Sequence, residues 1–105
     1  MKTWNKVKIT VVKKFVAEDL IKEFVEDDVK NKFLGSCDVF ALEQEFILEK
    51  PNKPDEFCSW AWADIHRDVA AIMGGASFPW INREGVALAC CTDGLRPVVF
   101  KIERI

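Results

Sequence analysis

The C-terminal third of the chain carries the pattern that most restricts the fold, two apolar segments joined by an Asp-Gly pair. The first segment, VALACC, is almost wholly apolar, which is typical of a strand covered on both faces. In the second, VVFKIERI, Val98, Phe100 and Ile102 recur at every other position, the period of a half-buried strand. Between them, Asp93 and Gly94 form a turn signal in which the glycine supplies a positive φ. The sequence therefore predicts a C-terminal β-hairpin.

The N-terminal half predicts two more strands and a short helix. In residues 6–14, apolar side chains alternate with Lys and Thr, as in a strand with one buried face. Apolar residues at helical spacing predict a helix at residues 18–26, with acids in the first turn where the helix dipole favours them. The segment EFILE within residues 44–50 predicts the next strand, and the prolines of KPNKP end it.

The main helix is predicted at residues 59–73. Ala61 and Ile65 begin an apolar stripe at helical spacing that continues to the end of this segment. Gly74 and Gly75 follow the last apolar residue and are expected to cap the helix.

In order, these elements predict an α+β fold in one domain, residues 1–105. The order β-α-β-α-β-β favours a small, mostly antiparallel sheet packed on two helices. A chain of 105 residues can bury enough surface to fold without disulfides. Its content of 50% hydrophobic and 30% charged residues is typical of a globular domain.

Charge and hydropathy argue against two classes of partner. With a formal net charge of -2, the chain has no overall positive field to attract phosphates, so no nucleic-acid partner is expected. No segment approaches the roughly 18 apolar residues of a membrane span, and the N-terminus lacks the apolar run of a secretion signal. We therefore expect a cytoplasmic protein whose cysteines are reduced thiols or metal ligands.

The segment FCSWAWADIH places Cys58 at the start of the main helix. A thiolate is the reactive form of cysteine, and the free N–H groups and dipole of a helix N-terminus favour its negative charge. The alternative is that Cys58 is a small buried hydrophobic residue packed by Phe57 and Trp60. His66 lies two helical turns further on, so about 12 Å of helix separates it from Cys58 and a direct Cys-His dyad is excluded.

His66, a secondary site candidate, and the acids around it favour a plain surface interpretation. His66 follows Trp62 by one helical turn, so its ring is expected to pack on the indole at the surface. Asp64 and Asp68 share this spacing, and we interpret them as a solvated charged face rather than a catalytic carboxylate pair.

Three cysteines can converge at the ends of the predicted elements. Cys37 follows Gly35, Cys58 begins the main helix, and Cys90 and Cys91 precede the predicted turn. Adjacent strand residues point to opposite faces, so only one of that pair can join a given site. Three thiolates and a fourth ligand would match the tetrahedral preference of zinc, although no C-x-x-C spacing supports a metal.

Asp93 and Arg96 flank the predicted turn and are the other secondary candidates. Asp93, His66 or a water molecule would supply the fourth zinc ligand. The alternative, which the Asp-Gly signal favours, is a purely structural hairpin in which Arg96 pairs with an acid.

Four motifs carry a resemblance to a known family. GSCDVF, EQEFILE, FCSWAWADI and ACCTDGLRPVVFKIERI together are similar to a family of small stand-alone bacterial and archaeal proteins of uncharacterised function. The resemblance covers nearly the whole chain, from KVKITVVKKF to the end. It implies cysteines at the positions of Cys37, Cys58 and Cys91, an acid at Asp93 and a variable position at Cys90. A shared thiol or metal site follows from the resemblance, but no reaction does.

Two hypotheses for function follow. The first is a site built from Cys37, Cys58 and Cys91, used to bind zinc or another thiophilic metal, for thiol chemistry, or to dock a redox partner. The second is a non-catalytic interaction module, as a homo-oligomer or an accessory subunit, that uses an exposed aromatic surface. The residues of that surface would be Trp60, Trp62 and Trp80. The first requires the three sulfurs to converge, and the second requires the tryptophans to be exposed.

Overall fold

The computed structural model of the protein describes residues 3–105 and contains every element that the sequence predicts. Its strands are β1 (Val7–Lys14), β2 (Glu45–Leu48), β3 (Val86–Cys90) and β4 (Val98–Arg104), and its helices are α1 (Glu18–Phe24) and α2 (Ser59–Met73). A 3-10 helix at Lys30–Phe33 is an addition to the predicted set. The predicted α+β class and C-terminal strand pair are confirmed.

The four strands form one antiparallel sheet in the order β2-β1-β4-β3. β1 is central, with Ile9 opposite Phe46 on β2 and Ile102 on β4. The register between β1 and β4 shifts between Val11 and Lys13, so one extra residue bends β1 there. The strands nearest the two chain ends are therefore neighbours, and β2 and β3 form the edges of the sheet.

α2 covers one face of this sheet with its apolar stripe. The buried residues of the helix are Ala61, Ile65, Val69, Ile72 and Met73. The strand side chains that pack with them include Val7, Ile9, Val11, Val98, Phe100 and Ile102. At one end of this core, four phenylalanine rings pack edge to face with centroid distances from 4.9 to 6.1 Å: Phe40, Phe46, Phe57 and Phe100. The apolar residues that alternate along β1 and β4 therefore face this core, and the residues between them face the side of the sheet that α2 does not cover, here called the open face.

α1 contributes little to the helical layer. In the described part of the chain it contacts the 3-10 helix and no strand, and Ile21 is its one buried residue. The backbone N–H of Ala17, at its start, donates a hydrogen bond to the Leu95 carbonyl at 2.7 Å, which ties α1 to the β3-β4 connection. Within residues 3–105, neither helix combines the length and the apolar character required to cross a membrane.

The connection between β3 and β4 differs from the tight turn that the sequence predicts. The connection spans residues 91–97. Gly94 is not among the glycines with a positive φ, so the prediction that this glycine supplies a positive φ is wrong. The Asp93 side chain makes the turn instead, because its Oδ1 accepts hydrogen bonds from the backbone N–H groups of Leu95 at 2.8 Å and Arg96 at 3.2 Å. A longer connection held by a side chain does not need the backbone twist that a two-residue hairpin demands of glycine.

The apolar sequence of β3 predicts a strand covered on both faces, but the structure covers only one face fully. Ala87 is buried and packs in the core, whereas Leu88 is 55% exposed and Cys90 is exposed. The reason is that α2 covers a single face of the sheet, and β3 lies at its edge. Leu88 and Cys90 on the other face therefore remain in contact with solvent, whereas Val86 on that face is buried.

Candidate functional site

A cavity of about 140 Å³ lies where three segments meet: the loop before β2, the start of α2 and the β3-β4 connection. Its lining includes the three predicted cysteines and two of the secondary candidates, and excludes His66 and Cys90. The residues that line it are Cys37, Val39, Phe40, Cys58, Trp60, Ala61, Cys91, Asp93, Arg96 and Val98. We call this cavity the cysteine pocket.

Cys58 occupies the N-cap position of α2, as the sequence predicts. Its backbone is extended, with φ -60 and ψ 124, and its sulfur makes no capping hydrogen bond. The preceding residue, Phe57, is 3% exposed and anchors this segment in the aromatic cluster. Cys58 itself is half-buried against the core. The structure therefore combines the two interpretations of Cys58, because the residue packs on the core and also lines a cavity at a helix N-terminus.

Cys91 and Cys90 are placed on opposite sides of the strand end. The Cys91 N–H donates to the Val98 carbonyl at 3.0 Å, and the Val98 N–H donates to the Cys91 sulfur at 3.3 Å. Cys90 is exposed, and its S–H donates to the Cys91 carbonyl at 3.1 Å. Partial burial raises the pKa of the Cys90 thiol, with smaller contributions from Cys91 and Asp64. Cys91 thus faces the pocket with its sulfur already accepting a hydrogen bond.

Cys37 reaches the pocket from the loop that precedes β2. Two features hold that loop in place: the Phe40 ring packs in the aromatic cluster, and the Phe40 carbonyl accepts a hydrogen bond from Lys14 Nζ at 2.6 Å. Gly35, with φ 79, allows the chain to leave the 3-10 helix in a left-handed conformation. Cys37 is half-buried against the core, like Cys58 and Cys91.

A network that the sequence did not reveal ties the β3-β4 connection to α2. The Asp64 carboxylate accepts hydrogen bonds from the Thr92 N–H at 2.7 Å and from the Thr92 hydroxyl at 3.0 Å. Trp60 Nε1 donates to the same hydroxyl at 3.1 Å. The interpretation of Asp64 as part of a solvated charged face is therefore wrong. The one sequence signal for this role is the four-residue spacing of Trp60 and Asp64, which places them on the same side of the helix.

Arg96 lines the pocket without the predicted acidic partner. Its guanidinium lies 4.8 Å from the centre of the Phe33 ring, and Nη1 donates to the Lys32 carbonyl at 3.4 Å. Its Nε is buried without a hydrogen-bond partner. Within residues 3–105, no carboxylate lies at ion-pair distance from Arg96. The cation–π contact with Phe33 and the hydrogen bond to Lys32 hold the side chain instead. The positive charge of Arg96 therefore remains available at the pocket.

The structure does not support the zinc hypothesis. Among residues 3–105, no group of three or more His, Cys, Asp and Glu side chains is arranged to hold a metal ion. His66, considered as a fourth ligand, is exposed and stacks on Trp62 with a centroid distance of 5.2 Å. Cysteines drawn from three rigidly anchored segments can line one cavity and still fail to meet at the short metal–sulfur distance of about 2.3 Å.

The tryptophans of the alternative hypothesis do not form one surface. Trp62 is half-buried and packs on Phe57 with a centroid distance of 5.8 Å. Trp60 is 66% exposed beside the cysteine pocket, while Trp80 is 77% exposed and lines other cavities, near β3. Any aromatic contact would therefore involve Trp60 or Trp80 separately.

Comparisons of the chain with protein-family models, curated proteins and solved structures gave no match. The family resemblance carried by the sequence motifs therefore stays a prediction, and the cysteine pocket is the feature of the structure that points to a function.

Proposed function

We propose that the protein carries out thiol–disulfide exchange at the cysteine pocket. The observation that supports the proposal is that one small cavity draws cysteines from three distant segments of the chain, Cys37, Cys58 and Cys91. All four cysteines of the chain are free thiols. The proposal also favours a reducing compartment such as the cytoplasm, where the resting thiols would stay reduced.

Thiol chemistry suits this geometry better than metal binding. Structural zinc needs four ligands held at bonding distance at the same time, and the described residues offer no group of three. Thiol exchange needs only two sulfurs to meet in each step. Three half-buried thiols that line one cavity support this kind of chemistry.

Cys58 is the residue proposed to attack the substrate. Its sulfur is free of capping hydrogen bonds at the N-cap of α2, where the unpaired N–H groups and the helix dipole favour a negative charge. Arg96 adds a positive charge to the lining of the same cavity. Cys91 is suited to the second step, because a backbone N–H donates to its sulfur and holds it in the lining of the cavity.

The reaction exchanges one disulfide for another. The Cys58 thiolate attacks one sulfur of a disulfide R-S-S-R, forming a Cys58-S-S-R bond and releasing a thiolate that takes up a proton. The thiolate of Cys37 or Cys91 then attacks the Cys58 sulfur, forming a disulfide within the protein and releasing the second R-SH. The protein loses two thiols and the substrate gains two, so no additional oxidant is needed.

The size of the pocket restricts the substrate. Sites for drug-sized molecules occupy roughly 300 to 1,000 Å³, whereas this cavity is about 140 Å³. Apolar side chains such as Val39, Phe40 and Val98 form much of its wall. The substrate is therefore a small aliphatic disulfide, or the tip of a larger one.

The experiment follows the first disulfide that forms. Fully reduced protein is mixed with bis(2-hydroxyethyl) disulfide, samples are quenched with acid over time, and the modified peptides are identified by mass spectrometry. We expect a mixed disulfide at Cys58 first, followed by a disulfide from Cys58 to Cys37 or Cys91. Replacing Cys58→Ser should prevent both products, and the matched Cys90→Ser variant should leave them unchanged. First adducts on Cys90, or equal rates at all four cysteines, would exclude the proposal.

A second candidate function, an interaction module, is favoured by the 77% exposure of Trp80. An indole left so exposed is typical of a contact surface. The test is the fluorescence emission of Trp80, obtained by subtracting the spectrum of a Trp80→Phe variant from that of the wild-type protein. This difference is recorded as the concentration of a partner increases. An emission spectrum that does not change would count against a contact at this position.

A further inference from the structure

The two edges of the sheet are protected to different degrees. β2 is four residues long, carries the exposed Glu45 and is followed closely by Pro51, features that discourage pairing with another strand. β3, with the sequence VALAC, carries no charge and no proline. Among the described residues its one strand neighbour is β4. The edge of β3 is thus open to a further strand.

The observed hydrogen bonds define which backbone groups point out from that edge. The Arg104 N–H donates to the Gly85 carbonyl at 2.8 Å, and the Cys91 N–H donates to the Val98 carbonyl at 3.0 Å. Residues 85 and 91 therefore direct their backbone groups towards β4. Because these directions alternate along a strand, Val86, Leu88 and Cys90 direct theirs outwards. The central one of the three is Leu88.

We propose that two copies of this chain associate through β3, as an antiparallel strand pair with a two-fold axis at Leu88. In this register Leu88 lies opposite Leu88 of the other copy, and Val86 lies opposite Cys90 in both directions. Each of these three opposed pairs exchanges both backbone hydrogen bonds, so every outward-facing group of the edge is satisfied. The product is one continuous eight-stranded sheet, twice the four strands of each chain.

The side chains fit the same register. Val86, Leu88 and Cys90 share the face of the sheet opposite α2, where Leu88 and Cys90 are exposed and Val86 is buried. The pairing therefore brings two uncharged rows together without like charges opposed. Beyond the strand ends, the register brings Arg83 of one copy towards Asp93 of the other, which adds opposite charges at both ends. A two-fold contact of this kind is self-complementary and closes after two copies.

Trp80 supports the choice of this edge. With Leu88 it lines one cavity on the helical side of β3, near Arg67 and Asp68, and another on the open side, near Lys101. The indole therefore flanks the edge where a second copy would pair. Burial of Trp80 and Leu88, which are 77% and 55% exposed in the single chain, would add apolar contact to the backbone hydrogen bonds. Of the residues named for this interface, Asp93 also lines the cysteine pocket, but the backbone pairing at Val86, Leu88 and Cys90 does not depend on the exchange reaction.

The first test uses a native cysteine to report the register. In an antiparallel hydrogen-bonded pair the two Cα atoms are about 5.5 Å apart, which suits a disulfide. A Val86→Cys variant should therefore form a covalent dimer with Cys90 of the other copy under mild oxidation, and Leu88→Cys should link to itself. Adding Cys90→Ser to the first variant should abolish its dimer, and mass spectrometry should find the peptide of residue 86 joined to that of residue 90. Dimers linked through Cys58 or Cys37 instead would overturn the register.

The second test compares two edges with matched substitutions. Leu88 and Ile47 are each 55% exposed, and each lies beside a lysine on the neighbouring strand, Lys101 and Lys8. Glutamate at either position can pair with that lysine within the chain, so folding should be preserved. Leu88→Glu opposes two carboxylates across the two-fold axis and should weaken the dimer at least tenfold by sedimentation equilibrium, while Ile47→Glu should have no effect. The proposal would be refuted if the wild-type protein were a monomer both at stock concentration and after 100-fold dilution. It would also be refuted if the two variants had equal effects.

Discussion

The carboxylate of Asp64 accepts two hydrogen bonds from Thr92, at 2.7 Å from the backbone N–H and at 3.0 Å from the hydroxyl. These bonds join the second turn of α2 to the β3-β4 connection. Thr92 directly follows Cys91, and Asp64 lies on the helix that Cys58 caps. This pair, with the Trp60–Thr92 hydrogen bond beside it, therefore helps to fix the relative position of two walls of the cysteine pocket.

Asp64→Asn should loosen the pocket more than it unfolds the protein. Both hydrogen bonds go to a single oxygen, Oδ2, so the amide oxygen of Asn can accept both of them but without the negative charge. Hydrogen bonds to a charged acceptor are stronger than neutral ones by about 1 kcal/mol. We expect a loss of about 1 kcal/mol in the free energy of unfolding, measured with urea, and faster alkylation of Cys91. Asp68→Asn is the matched control, because Asp68 makes only a 3.8 Å ion pair with the exposed Arg67. Similar effects of both substitutions would show that the Thr92 bonds do not hold the connection.

Cys90 should be slow to react although it is the exposed cysteine of the four. Partial burial of the Cys90 thiol is the main cause that raises its pKa, and the neighbouring Cys91 and Asp64 act more weakly in the same direction. The thiolate is the reactive form, so the pH at which alkylation by iodoacetamide reaches half its maximal rate should lie above the ordinary value for a thiol. Asp64→Asn removes one of the smaller causes and should shift that pH slightly downwards. A Cys90 profile at or below the ordinary thiol value contradicts the environment described here.

The two neighbouring tryptophans of α2 should differ in their contribution to stability. Trp62 is half-buried against Phe57 and the core, whereas Trp60 is 66% exposed. Trp62→Ala should cost about 2 to 3 kcal/mol, less than the roughly 3 to 5 kcal/mol of a fully buried aromatic residue. Trp60→Ala should cost less than about 1 kcal/mol, the value of its hydrogen bond to Thr92. Urea unfolding of both variants gives the comparison, and equal losses would mean that α2 does not pack on the sheet through this face.

The parts of the structure that could be predicted from the sequence are those set by local period. Alternation in β1 and β4 and the apolar stripe of α2 place the core correctly, since each side chain's direction follows from its own element. Strand order has no local signal. The apolar sequence VALACC therefore predicts a covered strand, although Leu88 faces solvent at the edge of the sheet. The Asp64–Thr92 pair lies beyond prediction for the same reason, because residues 28 positions apart meet only once the sheet and helix are assembled.

The pocket residues show a similar division. Cys37, Cys58 and Cys91 line one cavity, as their expected positions near element ends suggest, and Cys90 lies outside it because adjacent strand residues face opposite sides. Their spacing could not be predicted, because it depends on the path of the loop before β2 and on the side-chain-held turn at Asp93. The zinc hypothesis depends on that spacing, because all ligands must lie within bonding distance of one metal ion.

Gly85→Ala should be the most damaging of the glycine substitutions. Gly85 has φ +72, and an added Cβ would lie 2.9 Å from the Arg104 guanidinium. That guanidinium cannot easily move away, because Nη1 donates to the carbonyls of Ile72 and Ala76 at the end of α2, each at 2.7 Å. The strain of a left-handed alanine, about 1 to 2 kcal/mol, therefore adds to the loss of these hydrogen bonds, about 1 to 3 kcal/mol.

Two other glycines separate these contributions. Gly35 also has a positive φ, +79, but an added Cβ would meet nothing within 4 Å, so Gly35→Ala should cost only the backbone strain of about 1 kcal/mol. Gly94 has open space and no positive φ, so Gly94→Ala should be neutral or slightly stabilising. The expected order of unfolding free energies in urea is therefore Gly94→Ala highest, then Gly35→Ala, then Gly85→Ala. If Gly85→Ala lowered the free energy of unfolding no more than Gly35→Ala does, Arg104 would not be fixed at the end of α2. The contact between β4 and the end of the helix would then be looser than the hydrogen bonds indicate.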